Sequence, residues 1–212
     1  MISEKSLTSD KVYYALRKKI ISGGLMPGDR LVQTRLAEEF GTSNIPVLEA
    51  VRRLEHDGLV EVRAGLGARV KIWNPDDMIG SVLAREVLEG AACRRFVVTS
   101  TQEEKDTLIR LAKEFDERGL AQDKIGCIES DMVLHQHIVK CTRSNEFARI
   151  AESSRVITYT LRNLYWAGDP FGPPGVHDEL VEALLSGDPV RAEETGRAHI
   201  RTIGRVLWNR EI

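Results

Sequence analysis

"TSNIPVLEAVRRLEHDGLVEV", residues Thr42 to Val62, holds a helix marked at both ends and the start of a strand. Thr42 or Ser43 supplies an oxygen for the N-cap, and Pro46 falls in the first turn, where a missing N–H costs little. Val47, Ala50, Val51 and Leu54 recur at helical spacing and form one apolar face. Gly58 ends the helix. The run 59–72, "LVEVRAGLGARVKI", then reads as two short strands around a tip at Gly65 and Gly67.

Upstream of this stretch the pattern is helical. Val12, Ala15, Leu16, Lys19 and Ile20 draw a stripe on a helix from Ser9 to Ser22, which Gly23 and Gly24 stop. "LMPGDRL", residues 25–31, reads as a turn. A second helix spans 33–40, with Leu36, Ala37 and Phe40 inward, and Gly41 turns the chain into the helix of residues 43–57. Two helices joined by a tight turn and followed by a β-hairpin predict a winged helix-turn-helix over residues 1–73.

Downstream, "WNPDD" at 73–77 marks a domain boundary, and residues 74–212 show only helical periodicity. Helices are expected at 75–99, 101–118, 123–142, 144–166, 174–186 and 189–209. Their punctuation is a capping-box pattern in "TSTQEE", a breaker in "GDPFGPPG", and Asp188 as a cap before Pro189. The expected class is mainly α: an N-terminal winged helix-turn-helix followed by an all-α antiparallel bundle of six helices.

Composition agrees with a two-domain globular chain. Its 212 residues are 42% hydrophobic, which suits a packed core and argues against disorder. No apolar run approaches the roughly 20 residues that a membrane span needs, and the polar start "MISEKSLTSDK" is unlike a secretory signal. Cys93, Cys127 and Cys141 have no CxxC spacing and are expected as buried free thiols in a reducing cytoplasm. Residues 1–75 carry 12 Lys and Arg against 9 Asp and Glu, whereas the remainder carries 18 against 23. A basic head on an acidic body points to a polyanion partner for the head alone.

Several polar residues fall on inward faces of the bundle. In the helix 123–142, Ile125, Ile128, Met132, His135 and Val139 form one face, and Asp131 lies one turn before His135. His177 aligns with Leu180, Val181 and Leu184, and His199 with Ala192, Thr195, Ile203 and Val206. His137 points to the other side of its helix, about 160° from His135. A single inward histidine is ordinarily a satisfied core residue. Three with an aspartate form the donor set of a Zn, Ni, Mn or Fe site, and Asp131 and His135 can reach one ion. Arg85 and Glu89, one turn apart, read as a surface ion pair or as a clamp for a carboxylate. Arg155, Tyr159 and Arg162 share a stripe that is either a solvated face or the lining of that pocket.

These residues also match a family. "ALRKKIISGGLMPGDRL", "LAEEFGTSNIPVLEAVRRLEHDGLVEV" and "GLGARV" resemble the GntR-type winged-helix head. "AREVLEGAACRRF", "DMVLHQHIVKCTRSNEF" and "GVHDELVEALLSGDPVRAEETGRAHI" resemble the FCD effector domain of the FadR branch, and six bundle helices are similar to its shorter, VanR-like subgroup. The resemblance implies a ligand-responsive transcription factor, not an enzyme: a cytoplasmic homodimer, of the repressor kind, on a double-stranded DNA operator. It implies a divalent metal held by Asp131, His135, His177 and His199, with zinc the first expectation. It also implies a small organic acid as effector, met by Arg85; Glu89 and the stripe of Arg155, Tyr159 and Arg162, taken from their spacing, are the further candidates to line that site.

The head departs from the family where DNA is read. The usual S-R-[TS]-P-V-R-E-A is here Ser43-Asn44-Ile45-Pro46-Val47-Leu48-Glu49-Ala50, so two arginines are missing. Arg-to-guanine contacts discriminate by about 1–3 kcal/mol, and Leu48 cannot make one. Asn44 can instead pair with adenine or phosphate, and Ile45 or Leu48 can touch a thymine methyl. The expected DNA surface is Arg35, Thr42, Ser43, Asn44, Ile45, Pro46, Leu48, Arg52 and Arg53, with Gly65 and Gly67 at the minor groove. Three other readings of the metal remain: an ion that activates water in a hydrolase, an ion that is itself the signal, and an ion that only holds the bundle together.

Overall fold

The N-terminal unit, Met1–Pro75, sets three helices around a small sheet. α1 (Glu4–Ile21), β1 (Arg30–Leu31), α2 (Gln33–Glu39), α3 (Asn44–His56), β2 (Val60–Arg63) and β3 (Gly67–Val70) follow in chain order. The molecule is a computed structural model that describes residues 4–165 and 175–208; the side chains of 4–7, 124, 155, 162–165 and 203–208 lie outside that description.

α3 packs on α1 and α2. Leu16 and Ile20 on α1 and Val47, Ala50, Val51 and Leu54 on α3 are completely buried. Each fully buried Leu, Ile or Val contributes about 1.5–3 kcal/mol, so this seam holds α3 in place. Ser43 has the extended backbone of an N-cap residue, but no side-chain cap hydrogen bond forms at α3. The start of the helix is therefore where the sequence places it, without the hydroxyl cap expected there.

The turn read in residues 25–31 contains a strand. Asp29 Oδ2 accepts from Met26 N–H at 2.8 Å, and β1 then pairs antiparallel with β3, Leu31 opposite Ala68. β3 thus becomes the centre of a three-stranded sheet, β1-β3-β2. Two residues are too few for alternation to show, which is why the sequence reveals only the hairpin.

The second unit, Asp76–Ile212, is helical: α4 (Pro75–Thr99), α5 (Gln102–Leu120), α6 (Lys124–Lys140), α7 (Asn145–Tyr165), α8 (Asp178–Leu185) and α9 (Pro189–Trp208). A capping box opens α5: Glu104 N–H donates to Thr101 Oγ1, and Thr101 N–H to Glu104 Oε2. Asp188 Oδ1 accepts from the N–H groups of Val190 and Arg191 at the start of α9. α8 begins at Asp178 rather than 174, and of the breaker at residues 168–175 all but Gly175 lies outside the described residues. Phe96, Leu108, Leu134, Ile138, Leu180, Leu184 and Ala192 form the core, and all three cysteines are buried and free.

Close approach of α4 and α9 positions the interior polar groups. A Cβ on Gly196 would stand 2.6 Å from Cys93 Sγ, and one on Gly90 would stand 2.6 Å from Arg197 Cγ. Neither position has room for a side chain. The two helices run antiparallel here, with Arg94 on Glu193 (3.2 Å) and Arg201 on Glu86 (2.8 Å) at either end of the crossing. This brings the turn of α9 that carries His199 alongside the turn of α4 that carries Glu89.

Candidate functional site

Three helices of the bundle deliver imidazoles to one point. The buried arc of α6 centres on Cys127, Asp131, Leu134, His135 and Ile138, so Asp131 and His135 face inward together on successive turns. Ile125, read from the sequence as part of this face, is 49% exposed. It lies about 135° from the centre of the arc, on the side turned away from the neighbouring helices. His177 is the residue just before α8, and His199 lies on α9. Ligand atoms of His135, His177 and His199 all fall within 4.8 Å of one another.

Asp131 completes the group. Its Oδ1 is 2.9 Å from His177 Nε2 and 3.7 Å from His135 Nε2. His135 Nε2 and both ring nitrogens of His177 are buried and have no hydrogen-bond partner among the described residues, so even the 2.9 Å approach lacks hydrogen-bond geometry. Buried polar atoms are ordinarily satisfied, and several convergent exceptions call for an ion. Donors around one first-row ion stand about 3–4 Å apart, which small ring rotations reach from the observed spacing. The residues therefore fit a divalent metal.

The surroundings tune the imidazoles for that task. Burial pushes the pKa of His135 below the ordinary histidine value, against the opposing pull of Glu89. Burial, then the neighbouring His177 and His135, push His199 well below it. Both rings are neutral at neutral pH, the form that ligates. His135 Nδ1 lies 3.2 Å from Glu89 Oε2, which turns Nε2 toward the other histidines, and the rings of Phe115 and His177 meet at right angles with their centres 4.6 Å apart. No motif in the sequence singles out Phe115, and nothing in it ties Glu89 to His135.

Beside the histidines lies a buried cation. Arg85 is 1% exposed; its Nε is 3.4 Å from Glu89 Oε1, its NH2 is 3.4 Å from the Tyr159 hydroxyl, and the guanidinium sits 4.8 Å from the Tyr159 ring centre. The surface-pair reading of Arg85 and Glu89 is thereby overturned, because both are inside. Glu89 is shared between Arg85 and His135, so it positions both groups. Replacing it with glutamine is expected to weaken metal binding by about 10–100-fold, the usual cost of losing a carboxylate behind a ligating histidine. Competition with a chelating dye reads this, and unchanged affinity would show that Glu89 does not orient His135. The side chains of Arg155 and Arg162 lie outside the described residues.

In the head, Arg35, Ser43, Asn44, Ile45, Arg52, Gly65 and Gly67 are exposed, and Thr42 and Leu48 are half-buried. One expected contact needs correction. Pro46 is buried, packed inward by its place on the first turn of α3. Arg53 is bonded to Asp10, and its guanidinium lies 3.9 Å from the Tyr13 ring centre, so α1 already holds it. Ile45 is 53% exposed and Leu66, between the two wing glycines, is 54% exposed.

Residues 8–70 match the profile of the bacterial regulatory proteins, gntR family, and residues 81–202 match that of the FCD domain. The chain is 27% identical over 205 residues to the probable D-xylose utilization operon transcriptional repressor of Paenarthrobacter nicotinovorans, covering 93% of this chain and 89% of that one. It is 27% identical over 159 residues to the HTH-type transcriptional regulator YdhC of Bacillus subtilis (strain 168), covering 74% and 70%. Among solved structures, E. coli McbR/YncC superposes with a TM-score of 0.85 at 21% identity, covering 99% of each chain.

Proposed function

The chain belongs to the gntR family of bacterial regulatory proteins with an FCD domain, and on that premise we propose that it is a metal-containing, carboxylate-responsive repressor that binds its operator as a homodimer. Family and relatives are transcriptional regulators, not enzymes. No helix among the described residues is long and apolar enough to cross a membrane, and a cytoplasmic location is part of the proposal.

The observation that carries the ligand reading is the convergence of buried His135 and His177, half-buried His199 and buried Asp131 beside buried Arg85. His135, His177, His199 and Asp131 would hold a divalent ion, with zinc the first candidate and nickel, manganese or iron also suited to these donors. The ion would supply Lewis-acid charge for one oxygen of a small carboxylate. Arg85 presents its fork to the same carboxylate, Tyr159 steadies the guanidinium, and Glu89 fixes Arg85 and His135 relative to each other. The ion and Arg85 would outweigh Asp131 and Glu89 by one positive charge, which a bound carboxylate offsets. Regulation requires that the acid bind one arrangement of the heads better than the other.

On the DNA side, α3 enters the major groove. Asn44 reads adenine or holds a phosphate, exposed Ile45 or half-buried Leu48 meets a thymine methyl, and Arg35 and Arg52 contact phosphates. Two heads related by a two-fold axis require a pseudo-palindromic site. Footprinting of the DNA upstream of the protein's own gene, at fixed salt, tests this. A protected pseudo-palindrome is expected; protection no better than that of unrelated DNA would refute it. Arg52→Ala is expected to reduce the slope of log affinity against log salt by about 0.9, one phosphate contact, while leaving sequence preference unchanged.

A further inference from the structure

α4 is built inside out. Between Asp77 and Arg94 its charged residues are Arg85, Glu86 and Glu89, and all three are buried. Its outward face over the same span is uncharged: Gly80, Leu83, Ala84 and Val87 are exposed and Ala91 is half-buried, with Leu83 43% and Val87 51% exposed. At 100° per residue these five positions lie within about 60° of one line, opposite the buried arc of Val82, Arg85, Glu89, Cys93 and Phe96. α5 behaves conventionally, exposing Glu103, Asp106, Arg110, Lys113, Glu117 and Arg118. A solvent-facing helix face without a charge over four turns is an interaction surface.

The ends of the stripe say what covers it. Two exposed acids, Asp76 and Asp77, precede it, and two exposed arginines, Arg94 and Arg95, follow it, all on the same face. Arg94 also bonds Glu193 at 3.2 Å. An antiparallel copy of α4 places Asp76 opposite Arg94 and Asp77 opposite Arg95, each pair on the same edge of the contact. The register centres between Arg85 and Glu86, so Ala84 meets Val87 and Gly80 meets Ala91, a small residue at both of these levels. One surface that is its own complement in both shape and charge is the signature of an isologous two-fold contact.

We propose that this outward face of α4 packs antiparallel against the same face of a second copy. The inference rests on the dimeric reading above and assigns it a surface. It also gives α4 two jobs: its inner face carries Arg85 and Glu89, and its outer face makes the two-fold contact, one helix diameter of about 10 Å away. A ligand that shifts Arg85 therefore acts directly on the helix that joins the two copies.

Sedimentation equilibrium of the full chain, with Tm as a check on folding, tests the assignment. The wild-type chain is expected to be a dimer, and Val87→Arg and Leu83→Arg are expected to raise its dissociation constant by at least about 100-fold, since each buries two like charges at the axis. Val133→Arg, at an exposed apolar position on α6, is expected to leave it unchanged. Asp77→Arg weakens the dimer, and adding Arg95→Asp restores it; this pair decides the matter if the arginine substitutions lower Tm. A wild-type dimer that survives Val87→Arg, Leu83→Arg and Asp77→Arg overturns the α4 surface and leaves the dimeric reading intact. A wild-type chain that is monomeric, free and on DNA, overturns both.

Discussion

His177→Ala is expected to lower the affinity of the purified protein for zinc by more than about 100-fold, because losing only a supporting partner of a ligand already costs about 10–100-fold. His177 sits 2.9 Å from Asp131 Oδ1, its two ring nitrogens have no hydrogen-bond partner among the described residues, and its ring centre is 5.7 Å from His135 and 5.0 Å from His199. Removing it takes away one corner of the ligand set and leaves two imidazoles and a carboxylate, too few donors for a closed site. The stabilisation that metal confers on the fold should vanish with it, read as a Tm that no longer rises on adding zinc. His137→Ala is the control: this ring is on the same helix, but its Nε2 is bonded to the Glu104 carbonyl at 2.8 Å, so zinc affinity should not change. A His177→Ala protein that still holds one equivalent of zinc tightly would contradict the metal centre.

Arg85→Lys is expected to weaken binding of the effector carboxylate by about 30-fold or more while leaving zinc affinity within a factor of a few. Losing a buried charge-assisted partner costs about 2–5 kcal/mol of binding, and a lysine keeps the charge but not the two-pronged donor geometry. Arg85→Ala should go further and also lower stability, because Glu89 would remain buried opposite an empty space. Lysine at this position therefore separates loss of recognition from loss of fold. Calorimetric titration with a panel of small mono-, di- and hydroxy-carboxylates reads the effect. If every acid that binds the wild-type protein binds Arg85→Lys equally well, the arginine does not line the effector site.

The sequence shows most of this fold because its helices are long and sharply punctuated. The Thr101–Glu104 box and Asp188 before Pro189 mark their helix starts with side chains that the structure finds bonded to the first turns. β1 is hidden because two residues show no alternation. Periodicity also places Asp131, His135, His177 and His199 inward, since each shares its face with aliphatic residues. Their convergence is a property of crossing angles, and the close crossing depends on Gly90 and Gly196, which carry no pattern of their own. Glu89 illustrates the same limit: spacing pairs it with Arg85, but only packing brings it 3.2 Å from His135 on another helix. In the head, burial of Pro46 and the hold of Asp10 and Tyr13 on Arg53 cannot be read from α3 alone.

In the proposed regulator, the bundle's ligand controls the head's grip on DNA. Affinity for the footprinted upstream DNA, at one fixed salt concentration, should be measured for metal-loaded protein with and without saturating carboxylate, alongside chelated protein. A carboxylate is expected to change affinity by at least tenfold in the wild-type protein, about 1.4 kcal/mol of coupling, and not in Arg85→Lys at the same concentration. Affinity that follows metal alone, with every acid without effect, would contradict it and make the ion itself the signal.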